Sequence, residues 1–180
     1  LQSRVHEPWT HLLSSSMKTD LRYTPSDCFE TFPFPDDHTL EQGTPLDQAG
    51  EALYQARAAY MVETDQGLTK TYNALKDPDC QDPAIVNLRD LHRTMDQAVL
   101  AAYGWSDLEP PPYEAPTTVA EREAKQAFED EVIDRLFVLN AQKAETERAL
   151  GSHATLPAAP HNDRQSKRQL PLLSRTGEPQ

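Results

Sequence analysis

The chain has 180 residues, of which 37% are hydrophobic and 15 are proline, and its formal net charge is −12. That length suits one domain of ordinary size, or a small domain with tails. No apolar run approaches the roughly 18 residues of a membrane-spanning helix, and no basic start leads into an apolar stretch, so we expect neither a membrane protein nor a secretory signal.

Cysteine and histidine usage points away from metal and disulfide chemistry. Cys28 and Cys80 form no CxxC pair, and no histidine lies at zinc-ligand spacing from either. The six histidines are scattered along the chain. We therefore expect two free thiols in a reducing compartment and no metal site. Because the chain opens with Leu1 rather than methionine, we also expect a fragment or a processed chain.

The charge is unevenly distributed along the chain. Residues 1–35 carry three basic and four acidic residues, residues 36–150 carry ten and twenty-three, and residues 151–180 carry four and two. The central part, residues 36–150, therefore has a net charge of −13. It repels phosphate and lacks the counterion release that drives nucleic-acid binding. If the chain contacts DNA, the near-neutral N-terminal part is the expected surface.

Residues 1–35 show no helical period. Leu21 and Tyr23 favour a strand, and the aromatic residues that follow are separated by prolines. Residues 14–16 are three serines, which are typical of a turn. We predict one or two short strands at the edge of a sheet whose other strands would lie outside this chain.

Helices are predicted from residue 44 onward, after a linker over 36–43. Thr44-Pro45 and Asp82-Pro83 each place a capping side chain before a proline at the first helical position. A capping box over 118–121 begins a long helix that continues to about residue 150. Gly104 is expected to end the preceding helix in a left-handed conformation. Apolar stripes on these helices predict a core that includes Leu88, Leu91, Met95, Val99, Phe128, Val132 and Leu136.

The predicted fold is therefore mainly α. A short β segment over 1–35 precedes an antiparallel helical bundle over 44–150, because single amphipathic helices need partners in water. Residues 151–180 are polar and contain proline, and we expect a disordered tail.

No catalytic, cofactor-binding or metal-binding residues are assigned in this chain. It contains no glycine-rich phosphate loop and no G-x-S-x-G. The polar-Pro-Pro-aromatic motif of DNA amino-methyltransferases is nearly matched by Glu109-Pro110-Pro111-Pro112-Tyr113. The match fails because Pro110, at the polar position, has no side-chain oxygen to accept a hydrogen bond from a base amine. Pro-Pro-x-Tyr also suits WW-type grooves; our interpretation is a linker with a chance tyrosine.

Short polar and basic residues near the N-terminus are the candidate DNA contacts, because such groups suit phosphate oxygens. The alternative is a strand that anchors the neighbouring aromatic residues, with solvated charges on its surface. The candidates are Ser15, Ser16, Lys18, Arg22 and Tyr23.

Several blocks, in order, resemble the C-terminal part of large bacterial N6-adenine DNA methyltransferases, the MmeI-like type IIG restriction–modification enzymes and related phage-defence methylases. The first block, LRYTPSDCFETFPFP at 21–35, is similar to the segment that closes their target-recognition region. The later blocks are LTKTYN at 68–73, LRDLH at 88–92, YGW at 103–105 and LFVLN at 136–140, together with Asp96, Ala98-Val99 and Glu145. Lys143 stands where that closing helix often carries arginine.

The resemblance implies that residues 1–35 end a target-recognition domain and that residues 44–150 form a helical C-terminal module. The parent would be a bacterial cytoplasmic enzyme that transfers a methyl group from S-adenosylmethionine to adenine N6 in a specific duplex site, with the base flipped out. Its partners would be duplex DNA and the upstream catalytic domain, which would hold the catalytic tetrapeptide and the cofactor loop. The alternative is an autonomous acidic helical interaction module with no DNA role.

Overall fold

The computed structural model describes residues 1–17 and 20–149, which form a mainly helical fold, as predicted. Within these residues, no helix is long and apolar enough to cross a membrane. The tail predicted over 151–180 lies outside the described residues. In chain order the elements are α1 (His6–Leu13), β1 (Ser15–Met17), β2 (Asp20–Arg22), α2 (Pro25–Cys28), a 3₁₀ turn (Asp37–Leu40), α3 (Pro45–Thr64), α4 (Leu68–Lys76), α5 (Pro83–Ala102) and α6 (Val119–Ala149).

Helix α1 corrects the expectation that residues 1–35 contain no helix. Val5 and Trp9 lie one turn apart and are both fully buried. Pro8 is tolerated because it lies in the first turn, where its missing N–H would have no intrahelical partner. A helix of 8 residues is marginal alone, so burial of Val5 and Trp9 against later elements stabilises it.

The β structure in the described residues amounts to one small hairpin. Strands β1 and β2 pair antiparallel, with Ser16 opposite Leu21. The three serines predicted as a turn therefore lie at the end of α1 and in β1. Phe32 and Phe34 are not in a strand; their rings meet edge-on with centroids 5.0 Å apart in the irregular segment after α2. Prolines beside them remove the N–H donors that a sheet would need.

The predicted helix boundaries are confirmed by their hydrogen bonds. The Thr44 side chain accepts from the N–H three residues later at 3.3 Å, and that of Asp82 from the N–H two residues later at 2.8 Å. In the capping box, the N–H of Glu121 donates to Thr118 Oγ1 at 3.2 Å and the Glu121 carboxylate accepts from the N–H of Thr118 at 3.1 Å. Gly104 has φ of 75°, so this residue ends α5 in the left-handed conformation.

The buried apolar residues form two clusters, and α5 contributes to both. The first cluster joins the N-terminal segment to α6 and the end of α5: Val5, Trp9, Phe32, Leu100, Phe128, Val132 and Leu136. The second joins α3, α4 and most of α5: Ala49, Leu53, Tyr60, Leu75, Ile85, Leu88 and Met95. The expected boundary at residue 35 therefore does not separate two cores, since residues before and after it share the first cluster.

Helices α3 and α5 form the main pair of the second cluster and run antiparallel. Leu46 and Gly50 from the first turns of α3 line one groove together with Met95 and Val99 from the last turns of α5. Helix α6 packs instead on α1 and on the end of α5. Five of the seven predicted core residues are buried; the other two, Leu91 and Val99, are half-buried at the edges of the clusters.

Substitution of Leu88 by alanine tests the second cluster. Leu88 is 1% exposed, and truncating a buried leucine leaves a cavity that costs about 2–5 kcal/mol. We expect Leu88→Ala to lower the free energy of unfolding in urea by that amount. Val62→Ala is the control, because Val62 on α3 is 83% exposed and should change stability by less than about 0.5 kcal/mol. Equal losses in the two variants would contradict the described core.

Candidate functional site

The structure brings four of the five predicted DNA-contact residues into one short region. Ser15 and Ser16 are in β1, Arg22 is in β2 opposite Ser15, and Tyr23 follows directly. Lys18 lies outside the described residues. Tyr23 is 43% exposed, and its hydroxyl is 3.3 Å from His6 Nε2 at the start of α1.

Tyr23 also lines a cleft of about 610 Å³ that residues 1–35 form with the helices. Its walls come from the N-terminal segment, the end of α4, the start of α6 and residues 112–116. Basic, acidic and aromatic side chains are mixed along it, among them Arg4, Glu7, Tyr72, Lys76, Tyr113 and Lys125.

A buried ion pair lies beside this cleft. Asp96 on α5 accepts from the backbone N–H of Arg4 at 2.9 Å and from Arg4 Nε at 2.7 Å. The Asp96 and Arg4 side chains are 1% and 11% exposed. Burial raises the pKa of the Asp96 carboxyl, and the Arg4 guanidinium opposes that rise. A charge removed from water in this way needs its partner, so the pair fixes the N-terminal segment against α5.

Residues 109–113 connect α5 to α6 without helix or strand, as the predicted linker would, and they are held against the fold by specific contacts. Arg4 Nη1 donates to the carbonyl oxygens of Pro111 and Pro112. The Tyr113 ring stacks on the His92 ring with centroids 4.3 Å apart. Two residues further, the N–H of Ala115 donates to the α4 carbonyl of residue 76 at 2.8 Å. A WW-type groove would need this peptide to be free, so the Pro-Pro-x-Tyr pattern here has a structural role. We call residues 109–116 the strap.

His92 is a buried, neutral histidine. It is 1% exposed, and within the described residues neither ring nitrogen has a hydrogen-bond partner. Burial, together with the charges of Arg4 and Arg57, lowers the pKa of His92 to about 4. His92 serves as a flat surface for Tyr113.

Two arginines join the helices around the strap. Arg89 donates to four carbonyl oxygens at the end of α4 and in the following loop, at 2.5 to 3.2 Å. Arg57 on α3 donates to the Tyr72 hydroxyl at 2.7 Å and to Gln2 Oε1 at 2.8 Å. These donors are committed to backbone and side-chain acceptors of the chain itself, so the arrangement is suited to holding segments together.

The described residues contain no group of three His, Cys, Asp or Glu side chains able to hold a metal ion. Cys28 is buried and Cys80 half-buried, both as free thiols. Among the titratable groups of the cleft, Arg4 is paired with Asp96 and Lys125 with Glu129, whereas Lys76 is exposed. The chain matches no family model, no curated protein and no solved structure.

Sequence reasoning missed the pairing of Asp96 and the burial of His92. Both residues lie on the apolar stripe of α5, beside Leu88 and Met95. A polar residue inside such a stripe is a signal in itself, because burial without a partner is costly. The partner could not be predicted, since Arg4 is 92 residues away in the sequence.

Removal of the Asp96 charge tests the buried pair. We expect Asp96→Asn to cost about 3–5 kcal/mol, because the substitution leaves the Arg4 guanidinium buried without a counter-ion. Asp107→Asn is the matched control: it removes a carboxylate that pairs bidentately with Arg135 at 2.9 and 2.6 Å but is exposed. Asp107→Asn should lower the free energy of unfolding much less, because solvent screens exposed ion pairs. Similar urea midpoints for both variants would show that the Arg4 pair is not buried.

The pH dependence of stability tests the state of His92. Its folded pKa of about 4 lies below the ordinary histidine value of 6.5, so its stabilising contribution is complete above pH 6.5 and is lost as the pH falls toward 4. Between pH 7 and pH 5 this loss amounts to about 2 kcal/mol. His92→Phe keeps the stack on Tyr113 and cannot titrate. Between pH 7 and pH 5 its free energy of unfolding should therefore fall by about 2 kcal/mol less than that of the unsubstituted chain. His38→Phe, at an exposed position, should follow the unsubstituted chain; identical pH profiles for all three proteins would contradict the assignment.

Proposed function

We propose that this chain is the C-terminal part of an S-adenosylmethionine-dependent, adenine-specific DNA methyltransferase of the restriction–modification or phage-defence type. Its role is to end the target-recognition region and to attach a helical module to it. Catalysis and cofactor binding belong to the upstream part of the parent.

The observation that supports this proposal is that blocks of the resemblance contact one another across the fold. The Tyr103 hydroxyl donates to the carbonyl of Pro33 at 3.0 Å, which joins the fourth block to the first. Lys143 Nζ donates to the carbonyl of Phe34; this is the position where the family often carries arginine, and either residue can supply that donor.

The second and third blocks meet in the same way. The Tyr72 ring approaches the His92 ring with centroids 5.8 Å apart, and Asp96 pairs with Arg4 beside them. A resemblance that covers one fold requires its blocks to lie in one structural unit. The contacts between the blocks are compatible with that requirement, and this is the support that the proposal has from the fold.

Electrostatics favours the hairpin as the DNA contact. Residues 36–150 carry ten basic against twenty-three acidic residues, so the helices as a group repel phosphate. The hairpin belongs to the near-neutral part, and the sequence from 14 to 22 contains three serines, a lysine and an arginine. Contacts of this kind position a protein on the duplex and do not read bases.

The same acidic charge supports the second candidate function, an interaction module with no DNA role. The two candidates differ in what the upstream reading frame encodes. The methyltransferase proposal requires an Asn-Pro-Pro-Tyr-type motif and a cofactor loop within a few hundred residues upstream.

The salt dependence of DNA binding by the full-length parent tests the proposal. We expect Lys18→Ala with Arg22→Ala to weaken binding to all duplexes alike. The slope of log K against log salt should fall by about two, because each neutralised phosphate accounts for about one unit. Lys70→Ala with Arg122→Ala is the matched control, because it removes two exposed cations from the helices and should leave the slope unchanged. A slope that changes only in the control pair would place the DNA surface on the helices and contradict the proposal.

A further inference from the structure

The start of α1 and the residue after β2 meet at a hydrogen bond between two ring side chains. His6 Nε2 lies 3.3 Å from the Tyr23 hydroxyl, and the two ring centroids are 6.0 Å apart. His6 is 4% exposed, whereas Tyr23 is 43% exposed. One partner of this bond is therefore fixed inside the fold, and the other reaches the surface beside the cleft.

The His6 ring is held by its surroundings and is neutral. Phe32 meets it edge-on with ring centroids 4.4 Å apart, and Phe32 belongs to the first cluster. Burial lowers the pKa of His6 to about 4, so the imidazole is uncharged at pH 7. A neutral imidazole carries one N–H and one bare nitrogen, and the hydrogen bonds of the ring decide which nitrogen carries the proton.

The hydrogen-bond partners of His6 favour a proton on Nε2. Within the described residues, His6 Nδ1 is buried and has no hydrogen-bond partner. A buried donor without an acceptor loses its hydrogen bond to water without replacement, and such donors are rarer in proteins than unpaired acceptors. With the proton on Nε2, the N–H has the Tyr23 oxygen as its acceptor, and the unpaired atom of the ring is only a lone pair.

This tautomer decides what the Tyr23 hydroxyl can bind. A phenol has one O–H donor and two acceptor lone pairs. When its oxygen accepts from His6, its own proton remains free for another acceptor. The oxygens of a DNA phosphate only accept hydrogen bonds, so Tyr23 can contact a phosphate only through that proton. In the opposite tautomer, Tyr23 would donate to Nε2 and would have no proton left for a phosphate.

We propose that His6 is a positioning residue for a phosphate contact of Tyr23: its Nε2–H donates to the Tyr23 oxygen and directs the phenolic proton to a phosphate oxygen of the duplex. This inference rests on the proposed function, because it assumes that DNA lies on the hairpin side. It adds a neutral donor to the cations already considered there, and it gives a role to a buried residue of α1.

The tautomer of His6 is measurable in the chain itself, without DNA. A long-range ¹H–¹⁵N correlation spectrum at pH 7 separates the protonated from the bare nitrogen of each neutral histidine, and His6→Gln identifies the His6 signals by their loss. We expect a protonated Nε2 and a bare Nδ1. A proton on Nδ1 would overturn the proposal, because Tyr23 would then have to donate to His6.

Binding of a labelled duplex to the full-length parent tests the phosphate contact. We expect Tyr23→Phe to weaken binding about tenfold, the usual effect of losing a hydrogen bond to a charged group. The dependence on salt should stay the same, because no cation is removed. His6→Phe should weaken binding by a similar factor. His6→Gln, whose amide can supply an N–H in place of Nε2, should remain within about threefold of the unsubstituted parent.

The matched control is His92→Phe, the same substitution at another buried histidine, whose ring nitrogens have no hydrogen-bond partner within the described residues. This control should leave duplex binding unchanged.

A double-mutant cycle separates positioning from a general effect on the fold. In the Tyr23→Phe background, His6→Phe should weaken binding by less than about twofold more, because the hydroxyl that His6 positions is already gone. Full additivity of the two changes, or a loss in His6→Gln as large as in His6→Phe, would overturn the proposal while the proposed function stands, since the duplex is still bound. A parent that binds no duplex DNA would contradict the proposed function, and this inference with it.

Discussion

Arg4 joins three segments that are far apart in the sequence: the N-terminal segment, α5 and the strap. Its backbone N–H and Nε bind Asp96 on α5, and its Nη1 binds the strap carbonyls. A buried pair of this kind adds little net stability over an apolar replacement, but breaking it is expensive. Its main effect is therefore positional: it holds the residues before α1 against α5 and the strap.

Helix α5, which Asp96 ties to Arg4, contributes to both apolar clusters. Its first four turns pack with α3 and α4, and its last turn packs with α1 and α6 through Leu100. Beside the second cluster it places His92 and Asp96, one turn apart and both buried. The carboxylate is compensated by Arg4, and the imidazole is neutral, with a pKa of about 4. The helix thus contributes to two apolar cores and also carries a buried polar pair, His92 and Asp96, of which Asp96 depends on one distant arginine. We call these two residues the polar layer.

The features that could be predicted from the sequence are those set by local interactions. The caps at Thr44, Asp82 and Thr118 and the stop at Gly104 depend on residues a few positions apart, so the pattern alone identifies them. Helix α1 could not be predicted because its stability comes from burial of Val5 and Trp9 against residues about a hundred positions later. The contacts of the strap could not be predicted for the same reason. Its prolines give it the composition of a linker and do not indicate that it contacts Arg4 and His92. Of the candidate site, the hairpin could be located, but the polar layer beside it could not.

The charge distribution limits where the proposed function could place DNA. Residues 36–150 carry ten basic against twenty-three acidic residues, so the helices as a group repel phosphate. Some of the helical cations are also engaged within the chain: Arg57 donates to the Tyr72 hydroxyl, and Arg89 donates to carbonyl oxygens at the end of α4. In the proposed function, contact with duplex DNA is therefore expected on the near-neutral hairpin side.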